Sequence, residues 1–344
     1  MGDRTCAACD GPLGSSVICV AVGGKPVEVC SSACAEALNE ACVAGPSQSW
    51  ATSGKQAALT VRSIETPSGR ISYAEAGSGA VALFIHGMLL NKHFWRHQLA
   101  GLFDIRRCIA VDLLAHGETH IEPNQNVSSA ANASMLKELL DALQIERVDL
   151  IGNHSGGGVV QIFAALHPER VRSLTLTNCD AHDNWPPAAF EPFLNRAAAG
   201  DLRDTLNEML ADKTIYRSPD VLGLAYERPD KVSDEDIEIY LRPLVRTAQR
   251  TRDLQRFLAA FDHNNALAVE SRLRQLRVPT LIIWAADDVY FPVKWAYWLA
   301  ETISGAKPPI ELSGAHAFFP EERSELFNQL LRDELLAGID ANIR

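Results

Sequence analysis

The residues best suited to chemistry in this chain are two histidines and one aspartate. His154 lies in the segment 152–156, Gly-Asn-His-Ser-Gly, directly after a short apolar run, while Asp288 and His316 lie closer to the C-terminus. An imidazole can attack a carbonyl carbon or move a proton, and a carboxylate beside a second imidazole fixes its tautomer. Together these residue types favour acyl or proton-transfer chemistry on a small-molecule substrate.

Two residues of this segment compete for the corner position of a strand-to-helix turn. A nucleophile at such a corner sits in a strained conformation with small residues two positions away on either side. His154 has Gly152 and Gly156 at those positions, whereas Ser155 would have an asparagine at one of them. The spacing therefore favours His154, and histidine tolerates the positive φ of such a corner better than most residues do.

Four segments within residues 57–344 resemble the α/β-hydrolase family in their order and spacing. They are His86-Gly87-Met88, residues 112–119, residues 152–156, and the pair Asp288 and His316. In relatives, a Pro-Glu-Arg-Val segment begins at a set distance after the nucleophile, and Pro168 fits His154 at that distance. The resemblance implies an α/β fold of the α/β-hydrolase type, with a mostly parallel central sheet and an inserted helical cap.

The same resemblance assigns roles to individual residues. Asp288 matches the family's acid and His316 its base, while the backbone N–H groups of Met88 and Ser155 match the donors of the oxyanion hole. His154 then occupies the position of the nucleophile. The sequence thus has a residue for the acid, the base and both oxyanion donors. The unusual feature is the imidazole of His154 at the position of the nucleophile.

The segments around His154 are similar to the branch of the family that has an aspartate nucleophile, including epoxide hydrolases and haloalkane dehalogenases. A histidine replaces that aspartate here, which puts its carboxylate chemistry in doubt. Asp180, at the end of the following strand, is an alternative to Asp288 as the acid. Further candidates for substrate contacts, each of which packing within the cap would also explain, are Trp95, His182, Trp185, Tyr216, Tyr226 and Tyr240.

Three functions remain open for such a site. The first is hydrolysis or acyl transfer of an ester, thioester, lactone or related activated acyl substrate, in which His154 forms an acyl-imidazole and His316 acts as general base. The second is a lyase or isomerase in which the two histidines only move protons. The third is an inactive scaffold, which the presence of both Asp288 and His316 disfavours. No organic cofactor is expected, and the sequence leaves open whether His154 is native or an introduced change.

The elements that must position these residues alternate between strand-like and helix-like segments from residue 57 onward, which is the α/β pattern. Continuous apolar runs predict parallel strands covered on both faces. The predicted strands are 58–65, 70–75, 81–85, 107–112, 148–152, 172–178, 279–285 and 309–312. A helix is predicted at 128–144, and helical periodicity without a strand signal predicts the cap at about 180–276.

Six of the eight cysteines lie within the first 42 residues. Four of them form two closely spaced pairs, separated by two strand-like segments that are joined at Gly23-Gly24. Such pairs predict a tetrahedral structural Zn²⁺ site, which would stabilise a module too small for a large core. The predicted ligands are Cys6, Cys9, Cys30 and Cys34, and the pattern resembles short treble-clef-like zinc domains of the TRASH and MYM type. The roles of Cys19 and Cys42 stay open.

The predicted organisation is a zinc-binding module at 1–45, a linker at 46–56 and an α/β-hydrolase domain at 57–344. The module carries two basic and five acidic residues, which disfavours a DNA-reading role. A structural role is favoured instead, with a possible contact to a protein partner or to a second copy of the chain.

The whole chain carries 43 acidic and 32 basic residues, giving a net charge of −11. This balance disfavours a nucleic-acid partner, because such binding depends on neutralising phosphates. No apolar run approaches the roughly 20 residues that a transmembrane helix needs, and the N-terminus lacks the pattern of a secretory signal. We therefore expect a cytoplasmic protein without membrane association.

Overall fold

A computed structural model describes residues 17–22, 25–29, 59–261 and 264–340 of the chain. The strands in these residues form an antiparallel hairpin and one eight-stranded sheet. They are β1 (Ile18–Val22), β2 (Lys25–Val29), β3 (Thr60–Thr66), β4 (Gly69–Ala76), β5 (Val81–Ile85), β6 (Arg107–Val111), β7 (Val148–His154), β8 (Val171–Cys179), β9 (Thr280–Ala285) and β10 (Ile310–Leu312).

Helices cover the sheet and fill the long connection between β8 and β9. They are α1 (Arg96–Leu102), α2 (Ser129–Ala142), α3 (Ser155–Leu166), α4 (Glu191–Ala199), α5 (Leu202–Ala211), α6 (Lys213–Tyr216), α7 (Asp234–Val245), α8 (Ala248–Ala259), α9 (Asn264–Leu273), α10 (Lys294–Thr302), α11 (Phe319–Glu322) and α12 (Ser324–Asp340). None of these described helices is long and apolar enough to cross a bilayer.

The strand order of the large sheet is β10-β9-β8-β7-β5-β6-β4-β3. Every pair from β10 to β6 is parallel, whereas β4 pairs antiparallel with both β3 and β6. β7 lies between β5 and β8, and all of its residues are buried. Because parallel strands end at the same edge of a sheet, the residues that follow β5, β7, β8 and β9 meet at one edge.

The eight strands predicted for residues 57–344 are confirmed, each end lying within two residues of the prediction. The predicted helix at 128–144 is also confirmed, as α2. Both predictions depend on local sequence, since a parallel strand covered on both faces needs a short continuous apolar run and a helix on a sheet repeats its apolar residues at the helical period.

The connection between β8 and β9 is helical in the residues that the structure describes. Helices α4 to α8 pack mainly against one another, while α9 packs against α3, the helix that follows β7. The domain boundaries assigned from the sequence, including the cap at about 180–276, stay predictions.

The hairpin predicted between the two cysteine pairs is present as β1 and β2, with Ile18 opposite Val29 and Val22 opposite Lys25. The predicted zinc ligands Cys6, Cys9, Cys30 and Cys34 lie outside the described residues. The hairpin supports the order of elements assigned to the module, and the metal site stays a prediction.

Candidate active site

The turn between β7 and α3 places His154 at the sheet edge where the parallel strands end. His154 is the last residue of β7 and the N-cap of α3, with φ 57° and ψ −133°. A non-glycine residue held at such a positive φ costs of order 1–3 kcal/mol, and strain of this kind concentrates at functional sites. Ser155 is already the first helical residue, so the corner of the turn belongs to His154.

Two glycines allow this corner to approach the neighbouring loop closely. A Cβ atom on Gly156 would lie 2.4 Å from the carbonyl oxygens of Ile85 and His86. A Cβ atom on Gly87 would lie 2.4 Å from the Cβ atom of His154. Backbone contact this close excludes any larger residue at either position, so the two glycines fix the corner against the end of β5.

His154 is completely buried, and burial lowers the pKa of its imidazole to about 3. The ring is therefore neutral at pH 7. The backbone N–H of Ser155 donates to His154 Nδ1 over 2.8 Å. Because an N–H group can only donate, Nδ1 carries no proton and the neutral ring holds its proton on Nε2. Nε2 has no hydrogen-bond partner in the part of the chain that the structure describes.

Aromatic rings surround the imidazole of His154. The centroids of Phe190, Phe291 and Phe318 lie 5.1, 5.0 and 5.8 Å from its centroid. Phe190 is also stacked on Tyr290, with the two centroids 4.4 Å apart. These residues are not among the substrate contacts predicted from the sequence. The positions of Phe291 and Phe318, close in sequence to Asp288 and His316, were the available signal.

Asp288 follows β9 and is almost completely buried. Burial raises the pKa of its carboxyl group to about 6, against hydrogen bonds that favour the charged form. The Tyr290 N–H donates to Oδ1 over 3.1 Å and Asn178 Nδ2 donates to Oδ2 over 2.7 Å. Asn178, at the end of β8, also accepts from the Ala285 N–H. Asn178 is therefore a positioning residue that was not predicted from the sequence. An amide at the end of an apolar strand is the sequence feature that could have indicated it.

His316 does not donate to Asp288 in this structure. Its Nδ1 lies 2.8 Å from the carbonyl oxygen of Leu224. Since a carbonyl can only accept, Nδ1 carries the proton and the neutral ring has its lone pair on Nε2. His316 nevertheless lies near enough for its charge to lower the pKa of Asp288. The predicted acid and base are therefore neighbours without a direct hydrogen bond.

The loop that carries His316 is tied to the corner of the turn. Asn153, the residue before His154, donates from Nδ2 to the carbonyl oxygen of Ala317 over 2.9 Å. The Phe318 N–H donates to the carbonyl oxygen of Ala225 over 2.9 Å. His154 and His316 are thus held at the same edge of the sheet by contacts of their immediate neighbours.

The loop after β5 supplies the second donor assigned to the oxyanion hole. His86 is fixed by its two nitrogens, because Nδ1 donates to the Gly87 carbonyl over 2.7 Å and Nε2 accepts from the Leu113 N–H over 3.1 Å. The N–H of Met88 donates to no other described group. Met88 thus keeps a free donor, whereas that of Ser155 is engaged by His154.

The sequence of a known family runs through all of these elements. A family model described as the alpha/beta hydrolase fold matches residues 81–323. The chain belongs to the α/β-hydrolase fold family. The match includes β5, the turn at His154, Asp288 and His316, so the elements around the site are those of the family.

Relatives of this α/β-hydrolase have been named as hydrolases. It is 26% identical over 271 residues to the 2-hydroxy-6-oxononadienedioate/2-hydroxy-6-oxononatrienedioate hydrolase of Paraburkholderia xenovorans, covering 77% of this chain and 90% of the relative. It is 26% identical over 243 residues to the 2-hydroxymuconate semialdehyde hydrolase of Pseudomonas sp. strain CF600, covering 69% and 81%. A crystal structure of a putative lipase from Acinetobacter baumannii AYE superimposes with a TM-score of 0.70 at 20% identity, covering 82% and 93%, which shows the shared fold.

Two of the predicted substrate contacts of this α/β-hydrolase pack against rings other than the imidazole of His154. Trp95 is completely buried and packs against Phe84 and Phe94, with centroids 5.3 and 4.9 Å away. His182 stacks on the Trp298 ring at 4.9 Å and is partly exposed. Trp185 lies closer to the turn, because its ring packs on Gly158 in the first turns of α3.

The three predicted tyrosines share a buried network, which we call the Glu321 cluster. It comprises Arg96, Tyr216, Tyr226, Tyr240 and Glu321. Tyr240 donates to Glu321 Oε1 over 2.6 Å, Arg96 donates to the same oxygen, and the hydroxyls of Tyr216 and Tyr226 lie 3.2 Å apart. Tyr226 donates to Oε2 over 3.4 Å. The hydroxyls therefore bind protein groups, and they join the helices between β8 and β9 to α1 and α11.

Polar atoms at the turn are arranged differently, in what we call the elbow cluster: Asn153, His154, Ser155 and Asp180. Each has a buried side-chain atom without a hydrogen-bond partner among the described residues, and in Asp180 both carboxyl oxygens are of this kind. Burial raises the pKa of Asp180 well above its usual value, which favours the protonated form of this carboxyl group. No group of three or more metal-ligating side chains occurs within the described ranges.

Proposed function

We propose that this α/β-hydrolase hydrolyses or transfers an activated acyl group from an ester, thioester, lactone or related compound. His154, His316 and Asp288 carry the reaction. The observation behind this proposal is the neutral imidazole of His154, which holds the strained corner of the turn while its Nε2 has no hydrogen-bond partner among the described residues. A side chain kept at such cost, in the position of a nucleophile, is a candidate for direct contact with the reacting group.

His316 is the general base of this proposal. Its Nδ1 proton is held by the Leu224 carbonyl, which leaves the Nε2 lone pair to accept a proton from water or from an acceptor alcohol. The carboxylate of Asp288 lies near the ring and stabilises the imidazolium that forms. The names of the relatives describe oxo compounds as substrates, which agrees with a substrate activated at a carbonyl group.

A second candidate is a lyase or isomerase reaction in which the two histidines only exchange protons with a carbonyl compound. The hydrogen bond from Ser155 N–H to His154 Nδ1 favours it, because the bond occupies one of the two donors assigned to the oxyanion hole. In that case the enzyme would exchange or shift a proton beside a carbonyl group without consuming water.

A panel of p-nitrophenyl esters, a thioester and a lactone tests the first candidate against the second. We expect turnover of at least one panel member, and a fall of about 10²–10⁴-fold in kcat/KM for His316→Gln, the range for loss of a general base. His120→Gln is the matched control, since His120 is exposed and is not among the residues assigned to the site. Deuterium exchange beside a ketone carbonyl, without turnover of any panel member, would support the second candidate instead.

We also propose that Cys6, Cys9, Cys30 and Cys34 hold one structural Zn²⁺ ion. The order of elements supports this, since the β1–β2 hairpin lies between the two cysteine pairs. Elemental analysis of the purified full chain should give one zinc per chain, and Cys9→Ser should lower that content while the buried Cys108→Ser should not. A full chain without zinc would remove this proposal.

A further inference from the structure

The imidazole of His154 accepts a hydrogen bond from the Ser155 N–H, a donor that the family resemblance assigns to the oxyanion of the substrate. The Ser155 N–H belongs to the first residue of α3, where helix N–H groups lack acceptors within the helix and the helix dipole is positive. His154 Nδ1 accepts this N–H over 2.8 Å. The ring thereby stands between the backbone donor and the surrounding aromatic side chains, and presents an N–H of its own on its opposite side.

This tautomer is poorly suited to nucleophilic attack. The lone pair on Nδ1 is engaged by the Ser155 N–H, and Nε2 holds a proton instead of a lone pair. Attack by Nε2 requires either loss of that proton, which a neutral imidazole gives up only in strong alkali, or a change of tautomer that breaks the bond to Ser155. A neutral imidazole held by a helix N-terminus is instead suited to polarise a carbonyl group.

We propose that His154 serves as the oxyanion-hole donor of this enzyme, with Nε2–H directed at the carbonyl oxygen of the substrate while water attacks the carbonyl carbon. This inference rests on the proposed function and defines the role of His154 within it. The N–H of Met88, which donates to no other described group, is the second donor. Two donors then face the developing charge, one from the backbone and one from a side chain.

The reaction step is balanced with water as the only co-reactant. His316 Nε2 removes a proton from water as the water oxygen bonds to the carbonyl carbon, and the C=O π electrons move onto the oxygen between the two donors. Collapse of this adduct breaks the bond to the leaving group, which takes the proton from His316. His154 keeps its Nε2 proton throughout, so no bond forms between the enzyme and the acyl group.

The two histidines suit opposite halves of this step. The Ser155 N–H leaves His154 with a proton on Nε2, while the Leu224 carbonyl leaves His316 with a lone pair on Nε2. Backbone groups set both tautomers, so neither depends on the charge of Asp288. One ring is thereby prepared as a donor and the other as a base.

The surroundings of His154 also define the class of substrate. Phe190, Phe291 and Phe318 face its ring, and no charged side chain contributes to the shift of its pKa. An apolar or aromatic acyl group fits such walls, whereas a charged one would lose its hydration without a partner. We therefore propose that the substrates bound beside His154 are uncharged esters with an aromatic or branched acyl group, such as a benzoate ester.

Two substitutions separate a donor from a nucleophile. His154→Asn keeps an N–H donor and tolerates positive φ, but its amide is neither a nucleophile nor a base. His154→Ala keeps no donor. With p-nitrophenyl benzoate we expect His154→Ala to lower kcat/KM by about 10²–10³-fold, the effect of losing an oxyanion donor, and His154→Asn to retain at least about tenfold more activity than His154→Ala.

His120→Asn is the matched control, because it makes the same change at an exposed histidine that is not among the residues assigned to the site. Equal urea midpoints for His154→Asn and His154→Ala would show that the activities are compared between equally folded proteins. For the wild-type enzyme we expect no burst of p-nitrophenol and no acyl adduct on the peptide that contains His154. A burst with such an adduct, or equal loss of activity in both variants, would overturn the donor role while leaving the proposed function in place.

A second measurement does not depend on turnover. In a ¹⁵N–¹H correlation spectrum of the wild type, the ring signals of His154 are those that are missing from the spectrum of His154→Asn. Between pH 5 and 8 these signals should show a neutral imidazole that is protonated on Nε2. Protonation on Nδ1 would overturn the inference even if esters are hydrolysed. The two proposals can also fail separately in the other direction. If the ring is protonated on Nε2 but the enzyme turns over no acyl substrate, the donor assignment is supported and the proposed function is rejected.

Discussion

The Glu321 cluster and the elbow cluster are both buried groups of polar side chains, and they differ in how their atoms are satisfied. In the Glu321 cluster the two carboxylate oxygens accept from Arg96, Tyr240 and Tyr226. In the elbow cluster every member has a buried side-chain atom without a partner among the described residues. Each such atom costs about 1–3 kcal/mol of folding free energy.

This difference distinguishes buried polar groups that stabilise the fold from those that we propose take part in the reaction. A satisfied network holds chain segments together, so its loss should appear in the free energy of unfolding. An unsatisfied group gains nothing for the fold, so its removal should leave stability unchanged or higher while altering activity. The four predictions below test this distinction, beginning with the largest expected effect.

Glu321→Gln should lower the free energy of unfolding by about 3 kcal/mol, because it removes one of the two carboxylates that face the buried Arg96 guanidinium and leaves Asp236 as the other. Urea denaturation at pH 7.5 measures this change. Glu325→Gln, at an exposed position in α12, is the matched control and should stay within about 0.5 kcal/mol of the wild type. Equal stability of the two variants would contradict a stabilising role for the Glu321 cluster.

His154→Asn should remove a pH dependence of stability. The folded-state pKa of His154 is about 3, below the ordinary value of about 6.5, so between these values only the unfolded chain binds the proton. The wild type therefore loses stability as the pH falls from 7.5, by about 2–3 kcal/mol at pH 4.5, because protonation of His154 favours the unfolded chain.

Unfolding of the wild type and of His154→Asn at both pH values measures this loss. The variant should lose about 2–3 kcal/mol less than the wild type on going to pH 4.5. His86 and His116, whose pKa values burial lowers to about 4 and about 3, are retained in both proteins and cancel in the comparison. Parallel losses in the two proteins would mean that His154 is not buried as a neutral ring.

Asp180→Asn should raise stability at pH 8 and have little effect at pH 3.5. Because burial raises the pKa of Asp180, the folded state retains a proton that the unfolded chain releases above its ordinary value, so the wild type loses stability as the pH rises. Thermal unfolding at the two pH values tests this sign. A loss of activity in this variant, with Asp288→Asn active, would transfer the role of acid from Asp288 to Asp180.

Asn178→Ala should give the smallest effect, a shift of the acidic limb of the kcat/KM profile to higher pH. The pKa of Asp288 is about 6, and the hydrogen bond from Asn178 lowers it, so the variant should require a higher pH to ionise the carboxyl group. The profile of an ester that the enzyme turns over measures the shift. An unchanged limb would mean that it reports a group other than Asp288.

Most of the fold could be predicted from the sequence, because the strands depend on local apolar runs. The turn at His154 was predictable for a similar reason, since its small neighbours Gly152 and Gly156 are adjacent in sequence. In the structure the corner has a positive φ at His154, and a Cβ atom on Gly156 would meet carbonyl oxygens. The need for small residues beside the corner therefore involves only a few consecutive positions, which the sequence alone can show.

The chemistry of the site depends on contacts that no local pattern specifies. The tautomer of His316 follows from a carbonyl 92 residues away in the chain, at Leu224. Glu321 lies in the polar segment Pro-Glu-Glu-Arg, which is typical of an exposed helix turn, yet it is buried by side chains from distant elements. Partners of this kind are set by the packing of the cap helices on the sheet, so they emerge only in three dimensions.

The close approach of Gly87 and Gly156 to the corner has an evolutionary consequence. The nearest atom is a backbone carbonyl oxygen for Gly156 and the Cβ atom of residue 154 for Gly87, so the tightest constraints on the corner do not depend on which side chain lies beyond that Cβ atom. A single-base change converts a histidine codon into an aspartate codon, and both side chains tolerate the corner conformation. Chains with either residue are therefore neighbours in sequence space, so the covalent chemistry of an aspartate at this corner and the donor role that we propose for His154 are one substitution apart.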